Sequence, residues 1–348
     1  MKKRIVVVAA ALAAAAFGTV AHAEGVIGVA MPTQDLQRWN QDGENMKAQL
    51  EEKGYTVDLQ YAGNDSATQV SQIENMIANG DQLLVVASID GDSLGTVLAQ
   101  AKEANIPVIA YDRLIMNTDA VSYYATFDNY LVGKTQGEYL VDALDLENQD
   151  GPFNLEIITG DPGDNNVNFF YGGAMDVLQP YIDAGKLVVP SGQISKDEVA
   201  TTNWATDAAQ SRFENILSSN YADGTNLDAV LASNDSTALG VVNALAANYT
   251  GEYPVITGQD CDIANVPHII DGTQAMSVFK DTRALAAKVV EMVDAIMTGG
   301  EAPVNDTETY DNGTGVIPSY LCEPTAVTVD NYKEVLIDSG YYTEDQLQ

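Results

Sequence analysis

The amino-acid sequence predicts an α/β protein built from two doubly wound, parallel-sheet, Rossmann-like lobes. Short β-branched apolar runs alternate with segments of helical period, which is the pattern of βαβ units and of a parallel sheet. This alternation occurs in two successive series along the chain. A length of 348 residues also fits two domains of ordinary size.

The first series predicts four strands separated by amphipathic helices. Each strand segment is rich in Val, Ile, Leu or Tyr, and each helical segment has an apolar residue at about every third or fourth position. The predicted strands are residues 26–31, 56–61, 83–89 and 108–111. The predicted helices between them are residues 38–52, 68–79 and 93–104.

The second series repeats this arrangement, and three further extended segments fit neither series. The strands of the second series are residues 155–159, 187–189, 229–232 and 255–257. We expect the remaining segments to cross between the lobes as a three-segment hinge; they are residues 121–127, 275–279 and 316–321. The predicted first lobe is therefore residues 24–128 with 281–316, and the second is residues 129–280 with 317–348.

The N-terminal segment predicts export. Basic residues at positions 2–4 precede an apolar run over residues 5–20 and the small-x-small sequence that ends at Ala23. We expect cleavage after Ala23 and export of the mature chain. Glu24, where a lipoprotein would have cysteine, argues against a lipid anchor.

Composition limits the possible partners. Fifty acidic and sixteen basic residues give a formal net charge of -34, so the chain repels nucleic acid and anionic membranes. Cys261 and Cys322 are the only cysteines, and the sequence leaves open whether they form a disulfide or remain thiols.

Polar side chains and both tryptophans follow the predicted strands at their carboxyl ends, which is where open parallel α/β sheets bind ligands. Taken singly, each of these Asp or Asn residues is more simply a helix cap. Their recurrence at seven strand ends favours a binding site for a monosaccharide, which needs hydroxyl partners and an apolar surface for stacking. The candidate residues are Arg38, Trp39, Asp112, Arg113, Asp164, Asn166, Trp204, Asn234, Asp260 and Lys280.

Motifs for catalysis and cofactor binding are missing from the sequence. There is no Walker A loop, no G-x-G-x-x-G after a strand and no G-x-S-x-G elbow. His268 is the only histidine after Ala23, and we interpret the acidic segment 145–151 as a turn because its glycine falls one place too late for a calcium loop. We therefore expect no cofactor, no metal and no enzymatic activity.

Several longer stretches resemble one known family. They are SQIENM at residues 71–76, VIAYDRLI at 108–115, YYATFDN at 123–129, GQD at 258–260, FKDT at 279–282 and NDTETYDN at 305–312. With these, the whole chain after the export segment resembles the periplasmic monosaccharide-binding proteins of ABC importers, which have the type I periplasmic binding fold. It is most similar to the ChvE-like multiple-sugar-binding receptors and next to the xylose-binding proteins.

This resemblance implies roles for the candidate residues. Arg38, Asp112 and Arg113 would bond the sugar from the first lobe, with Trp39 at the cleft wall. Trp204 would stack on the sugar ring. Asp164, Asn166, Asn234, Asp260 and Lys280 would bond its hydroxyls, and Asn165 and Asp235 are neighbours that would substitute for them.

The resemblance also implies partners. An ABC permease would bind the closed form, and a chemoreceptor or a sensor-kinase ectodomain would be a further binding partner. A monomer is expected. The alternatives are an autoinducer or nucleoside as the ligand, a glycoside-active enzyme, and a sugar-responsive regulator, although the sequence shows no basic helix-turn-helix segment for the last.

Overall fold

The computed structural model describes residues 25–347 and contains two parallel sheets with helices on both faces. The predicted export segment lies outside these residues. The strands are β1 Val26–Met31, β2 Thr56–Tyr61, β3 Leu83–Val86, β4 Val108–Tyr111, β5 Tyr123–Phe127, β6 Phe153–Ile158, β7 Leu187–Val188, β8 Ala229–Ala232, β9 Val255–Ile256, β10 Ser277–Phe279, β11 Ser319–Cys322 and β12 Thr325–Val327. The helices are α1 Gln37–Glu52, α2 Ser66–Asn79, α3 Gly95–Glu103, α4 Asn129–Ala143, α5 Asn166–Asp183, α6 Thr206–Asn220, α7 Asp235–Asn248, α8 Val266–Asp271 and α9 Thr282–Met297.

The first sheet has the order β11-β5-β4-β3-β1-β2, and every neighbouring pair in it is parallel. Helices α1 and α9 pack on one face through residues such as Met46, Leu50 and Val289. Helices α2 and α3 pack on the other face through residues such as Ile73 and Leu98. The order of β1 to β5 is that of a doubly wound sheet, which confirms the predicted fold class.

The second sheet has the order β7-β6-β8-β9, again with parallel neighbours. A parallel bridge between Gln259 and Val278 places β10 beside it, and β10 pairs antiparallel with β12. Helices α4 and α5 cover one face and α6 and α7 the other. No helix within residues 25–347 is both long enough and apolar enough to cross a bilayer.

The chain crosses between the two sheets three times, directly after β5, β10 and β11. The three segments that were predicted to cross between the lobes therefore contain the strands β5, β10 and β11. The chain crosses directly after each of these strands. The prediction that the second lobe resumes at residue 317 is wrong, because β11 completes the first sheet by pairing with β5 in the register Ser319–Tyr124. The third crossing follows β11, between Cys322 and the start of β12 at Thr325.

Both cysteines are free thiols, so the disulfide left open by the sequence does not form. Cys261 is buried in the second lobe, and Cys322 is half-buried at the end of β11. Burial raises the pKa of the Cys322 thiol to about 11.

Helices α4 and α5 approach each other closely because both carry glycines at their contact. A Cβ on Gly133 would overlap the carbonyl oxygen of Phe170, and one on Gly173 would overlap that of Tyr130. This contact fixes the position of α5, whose first residue, Asn166, lies at the carboxyl end of the second sheet. Glycine at these two positions thus helps to position the candidate site.

We predict that Gly133→Ala destabilises the protein by about 1–3 kcal/mol, because overpacking forces the two helices apart. Gly172→Ala is the matched control, since a Cβ at Gly172 meets nothing within 4 Å and alanine favours the helix. Chemical denaturation of both variants measures the difference. Equal stability of the two variants would contradict this account of helix packing.

Candidate ligand-binding site

A cavity lies between the carboxyl ends of the two sheets. All ten residues predicted from the sequence line it: Arg38, Trp39, Asp112, Arg113, Asp164, Asn166, Trp204, Asn234, Asp260 and Lys280. Leu36, Phe170, Gln259 and Asp262 complete the lining.

Arg38 is the central cation of the cavity and is only 7% exposed. Its Nε lies 3.0 Å from Asp42 Oδ2, and its Nη1 lies 3.2 Å from Asp260 Oδ1. Its Nη2 also pairs closely with Asp112. Because Asp260 belongs to the second lobe, one guanidinium joins carboxylates of both lobes.

Asp112 follows β4 and adopts a left-handed backbone conformation with a φ of 58°. Its carbonyl oxygen accepts hydrogen bonds from Tyr124 Oη at 2.7 Å, Thr126 Oγ1 at 2.9 Å and Asn166 Nδ2 at 2.7 Å. These bonds hold a backbone conformation that a non-glycine residue rarely adopts. Burial favours the neutral acid, but Arg38 and the other nearby cations outweigh it and hold the pKa of Asp112 below its ordinary value.

Arg113 joins the lobes a second time. Its Nε lies 3.0 Å from Asp164 Oδ2, and its Nη1 donates to the carbonyl of Ser88 at 3.1 Å. The guanidinium carbons of Arg38 and Arg113 lie 5.0 Å and 4.9 Å from the centroid of the Trp39 ring. Trp39 therefore positions both arginines through cation–π contacts.

Trp204 forms the apolar wall on the second lobe. Its indole Nε1 donates to Asp164 Oδ2 at 3.2 Å, and the ring of Phe170 meets it edge-on at 6.1 Å. A Cβ on Gly160 would overlap the indole, so this position requires glycine. Asn203 and Trp204 both have a φ of 57°, which turns the chain sharply before α6.

Lys280 lies directly after β10 and is 3% exposed. Its ammonium is 3.1 Å from Asp260 Oδ1 and 3.9 Å from Asp112 Oδ2. It also lies 5.8 Å and 5.7 Å from the ring centroids of Phe127 and Phe170. The cations of the cavity are thus each matched by carboxylates, and the lining suits a neutral polar ligand.

The capping role considered for the single residues also holds for Asn234, and Asp164 bonds the backbone at the start of α5. Asn234 caps α7 by accepting from the Thr237 backbone N–H at 3.0 Å, and its amide donates to Ser236 Oγ at 2.8 Å. Asp164 Oδ1 accepts from the Asn166 backbone N–H at 3.0 Å. These bonds fix the side chains in the orientation that lines the cavity.

The two neighbours named as substitutes do not line the cavity. Asn165 accepts from Asn168 on the outer side of α5. Asp235 is buried below the cavity, where it accepts from Gln274, Ser277 and the backbone N–H of Asp262. Its role is to hold the loop that carries Asp260.

Four lining residues are not among the ten predicted from the sequence. Phe170 follows Asn166 by one helical turn, so helical spacing would have found it. Gln259 is a strand-end residue. Asp262 reaches the cavity because Asp260 and Cys261 have φ values of 94° and 52°, and no pattern in the sequence announces that turn. Leu36 likewise has no distinguishing signal.

Two buried oxygens of the lining, Gln259 Oε1 and Asp262 Oδ1, have no hydrogen-bond partner within residues 25–347. Buried polar atoms are nearly always paired, so these two acceptors are available to hydroxyl donors of a ligand. Within the same residues, no group of three or more His, Cys, Asp or Glu side chains is arranged to hold a metal ion. The site thus offers hydrogen bonds and ring contacts.

The model of the periplasmic binding protein domain family matches residues 27–301. The chain is 50% identical to the multiple sugar-binding periplasmic protein SbpA of Azospirillum brasilense, over 95% of this chain and 93% of that protein. It is 49% identical to the multiple sugar-binding periplasmic receptor ChvE of Rhizobium radiobacter, over 98% of each.

A solved structure is also similar. It is an ABC transporter solute-binding protein from Clostridium phytofermentans with bound β-D-glucose, which is 71% identical to this chain. The match has a TM-score of 0.92 and covers 93% of this chain and all of the other. The two-lobe architecture is therefore shared with a glucose-bound protein.

We predict that Asp262→Asn stabilises the ligand-free protein at pH 8 and that this gain shrinks at pH 5. Burial, followed by the neighbouring Asp260 carboxylate, raises the pKa of Asp262 to about 7. The stability associated with the protonated acid is therefore present at low pH and is lost as the pH rises through about 7.

Thermal melting at the two pH values measures this effect, with an expected difference on the order of 1 kcal/mol or more. Asp150→Asn is the control, because this carboxylate is exposed and far from the cavity. A pH-independent effect of Asp262→Asn would contradict the prediction.

Proposed function

Because the chain belongs to the periplasmic binding protein family, we propose that it captures a neutral monosaccharide, an aldopentose or aldohexose, and delivers it to an ABC permease. The observation that carries this proposal is the shared cavity, in which charged groups of the two lobes pair with one another. Because its charged side chains are paired, such a lining does not favour a charged ligand. It does offer many charge-assisted hydrogen bonds to a neutral one.

The proposed contacts follow the chemistry of the lining. Arg38, Asp112 and Arg113 bond hydroxyls from the first lobe, and Asp260 and Lys280 do so from the second. The side-chain amides of Asn166 and Asn234 and the carboxylate of Asp164 make the remaining hydrogen bonds to the sugar. The indole of Trp204 stacks on the apolar face of the sugar ring.

Binding couples to closure of the lobes about the three crossings. The described lobes touch at the cleft rim, where the Gly91 backbone N–H donates to the Gly163 carbonyl at 3.1 Å. Only closure brings donors from both lobes within reach of one ligand, so a sugar shifts the population towards the closed form. We propose that the permease binds this closed form, and that a chemoreceptor or sensor ectodomain does so as well. We also propose that the protein acts as a monomer and does not catalyse a reaction.

Export completes the proposal. The segment before Glu24 has the basic, apolar and small-residue regions of a cleavable signal. Cleavage after Ala23 would release the chain into the periplasm. N-terminal sequencing of the exported protein tests this point directly.

A thermal-shift screen over aldopentoses and aldohexoses tests the function. A ligand present at 100 times its Kd stabilises the folded state by about 2.7 kcal/mol. We predict a clear rise in Tm with at least one of these sugars. No rise with any of them, but a rise with a nucleoside or an autoinducer, would contradict the choice of ligand, and release of the aglycone from an aryl glycoside would contradict the absence of catalysis.

Trp204→Ala and Asp260→Ala are predicted to raise the Kd for that sugar at least about tenfold, equal to about 1.4 kcal/mol, measured by calorimetry. The first variant removes the stacking surface and the second removes a carboxylate that faces both Arg38 and Lys280. Tyr253→Ala is the control, since Tyr253 is an aromatic residue 41% exposed on the same lobe. Unchanged affinity in both cavity variants, with circular dichroism showing folded protein, would place the site elsewhere.

A further inference from the structure

Gln37 joins the two lobes outside the cavity. It is the first residue of α1, and its side-chain Nε2 donates to Tyr342 Oη at 2.8 Å. Its Oε1 accepts from the Ile263 backbone N–H at 2.9 Å. Tyr342 Oη in turn donates to the Cys261 carbonyl at 3.0 Å. We refer to Gln37, Cys261, Ile263 and Tyr342 as the Gln37 clasp.

The partners of Gln37 belong to the second lobe. Tyr342 is 3% exposed and packs in a cluster with Cys261, Val327 and Leu336. Tyr341 reinforces this cluster, since its ring meets those of Phe279 and Tyr342 at 4.7 Å and 4.8 Å. The clasp is therefore a contact between the start of a first-lobe helix and a rigid patch of the second lobe.

The clasp holds the loop that presents two cavity carboxylates. Asp260 and Asp262 lie in this loop, and the left-handed conformations of Asp260 and Cys261 make it a sparsely populated backbone shape. Gln37 and Tyr342 bond the backbone of the loop at residues 263 and 261. Asp260 also pairs with Arg38, the residue next to Gln37. The residues of the clasp are therefore adjacent to Arg38 and Asp260, which join the two lobes in the cavity.

The bonds from Gln37 exist only while the lobes are together. When the cleft opens, the amide of Gln37 and the N–H of Ile263 exchange these bonds for bonds to water, so the clasp favours the closed form specifically. Gln37 is absent from the cavity lining. Its effect on a ligand therefore has to act through the loop.

We propose that Gln37 is a positioning residue for sugar binding, which clasps residues 261–263 across the cleft and slows release of the bound ligand. This inference rests on the proposed function. We expect Gln37 to affect the dissociation rate of the ligand, because the clasp must break before the lobes separate. We expect little effect on the association rate, because the open form lacks the clasp.

Stopped-flow kinetics with the aldose that gives the largest thermal shift tests the proposal. Gln37→Ala is expected to raise koff about five- to tenfold and to change kon less than twofold, as the loss of two neutral hydrogen bonds implies. Tyr342→Phe is expected to raise koff as well. The increase in koff of the double variant should be smaller than the product of the two single increases, because both changes remove the same Gln37–Tyr342 bond.

The controls separate the clasp from general stability. Asn40→Ala lies on the same helix but removes bonds only to the carbonyls of Gln34 and Leu36, so it should leave koff unchanged. Ligand-free Gln37→Ala should melt within about 1–2 °C of wild type. An unchanged koff in Gln37→Ala, or additive effects in the double variant, overturns the clasp while the proposed function stands. A wild-type protein that binds no aldose overturns the proposed function and the clasp with it.

Discussion

The Arg38 guanidinium is the interaction on which the site depends, because it is a buried cation shared by carboxylates from both lobes. Isolated buried charges are strongly disfavoured, and removing one member of a buried pair leaves the others uncompensated. Arg38 therefore requires Asp42 and Asp112 on its own lobe and Asp260 on the other. Arg38 pairs with carboxylates of both lobes in the arrangement that the structure shows, and this relative position of the lobes defines the cavity.

Part of the backbone strain lies around this arrangement. Nine non-glycine residues among residues 25–347 have a positive φ, and three of them, Asp112, Trp204 and Asp260, line the cavity. Each conformation is sparsely populated and persists only where surrounding bonds overdetermine it. The triple donation to the Asp112 carbonyl is the clearest example. The protein thus fixes its polar groups in advance, which reduces the ordering that a ligand would otherwise have to induce.

The sequence predicted much of the fold and most of the cavity for a simple physical reason. Parallel strands end at one edge of a sheet, so residues that follow strands, such as Asp112 and Asp260, converge whatever the details of packing. The sequence did not predict the features that depend on long-range strand pairing or on the geometry of a turn. The parallel partner of β11 is β5, which is distant in sequence, and Asp262 reaches the cavity only through two left-handed residues. Neither has a local sequence signal.

The location of β11 has a consequence for biosynthesis. Its partner β5 ends at Phe127, but β11 begins at Ser319, and nearly the whole second lobe lies between them in the chain. The first sheet therefore stays open at one edge until the last tenth of the polypeptide is available, whereas most of the second sheet is encoded by one uninterrupted stretch. Contacts so far apart in sequence form slowly. A chain delivered from its N-terminus would therefore have the strands β6 to β9 of its second sheet available before the last strand of its first sheet.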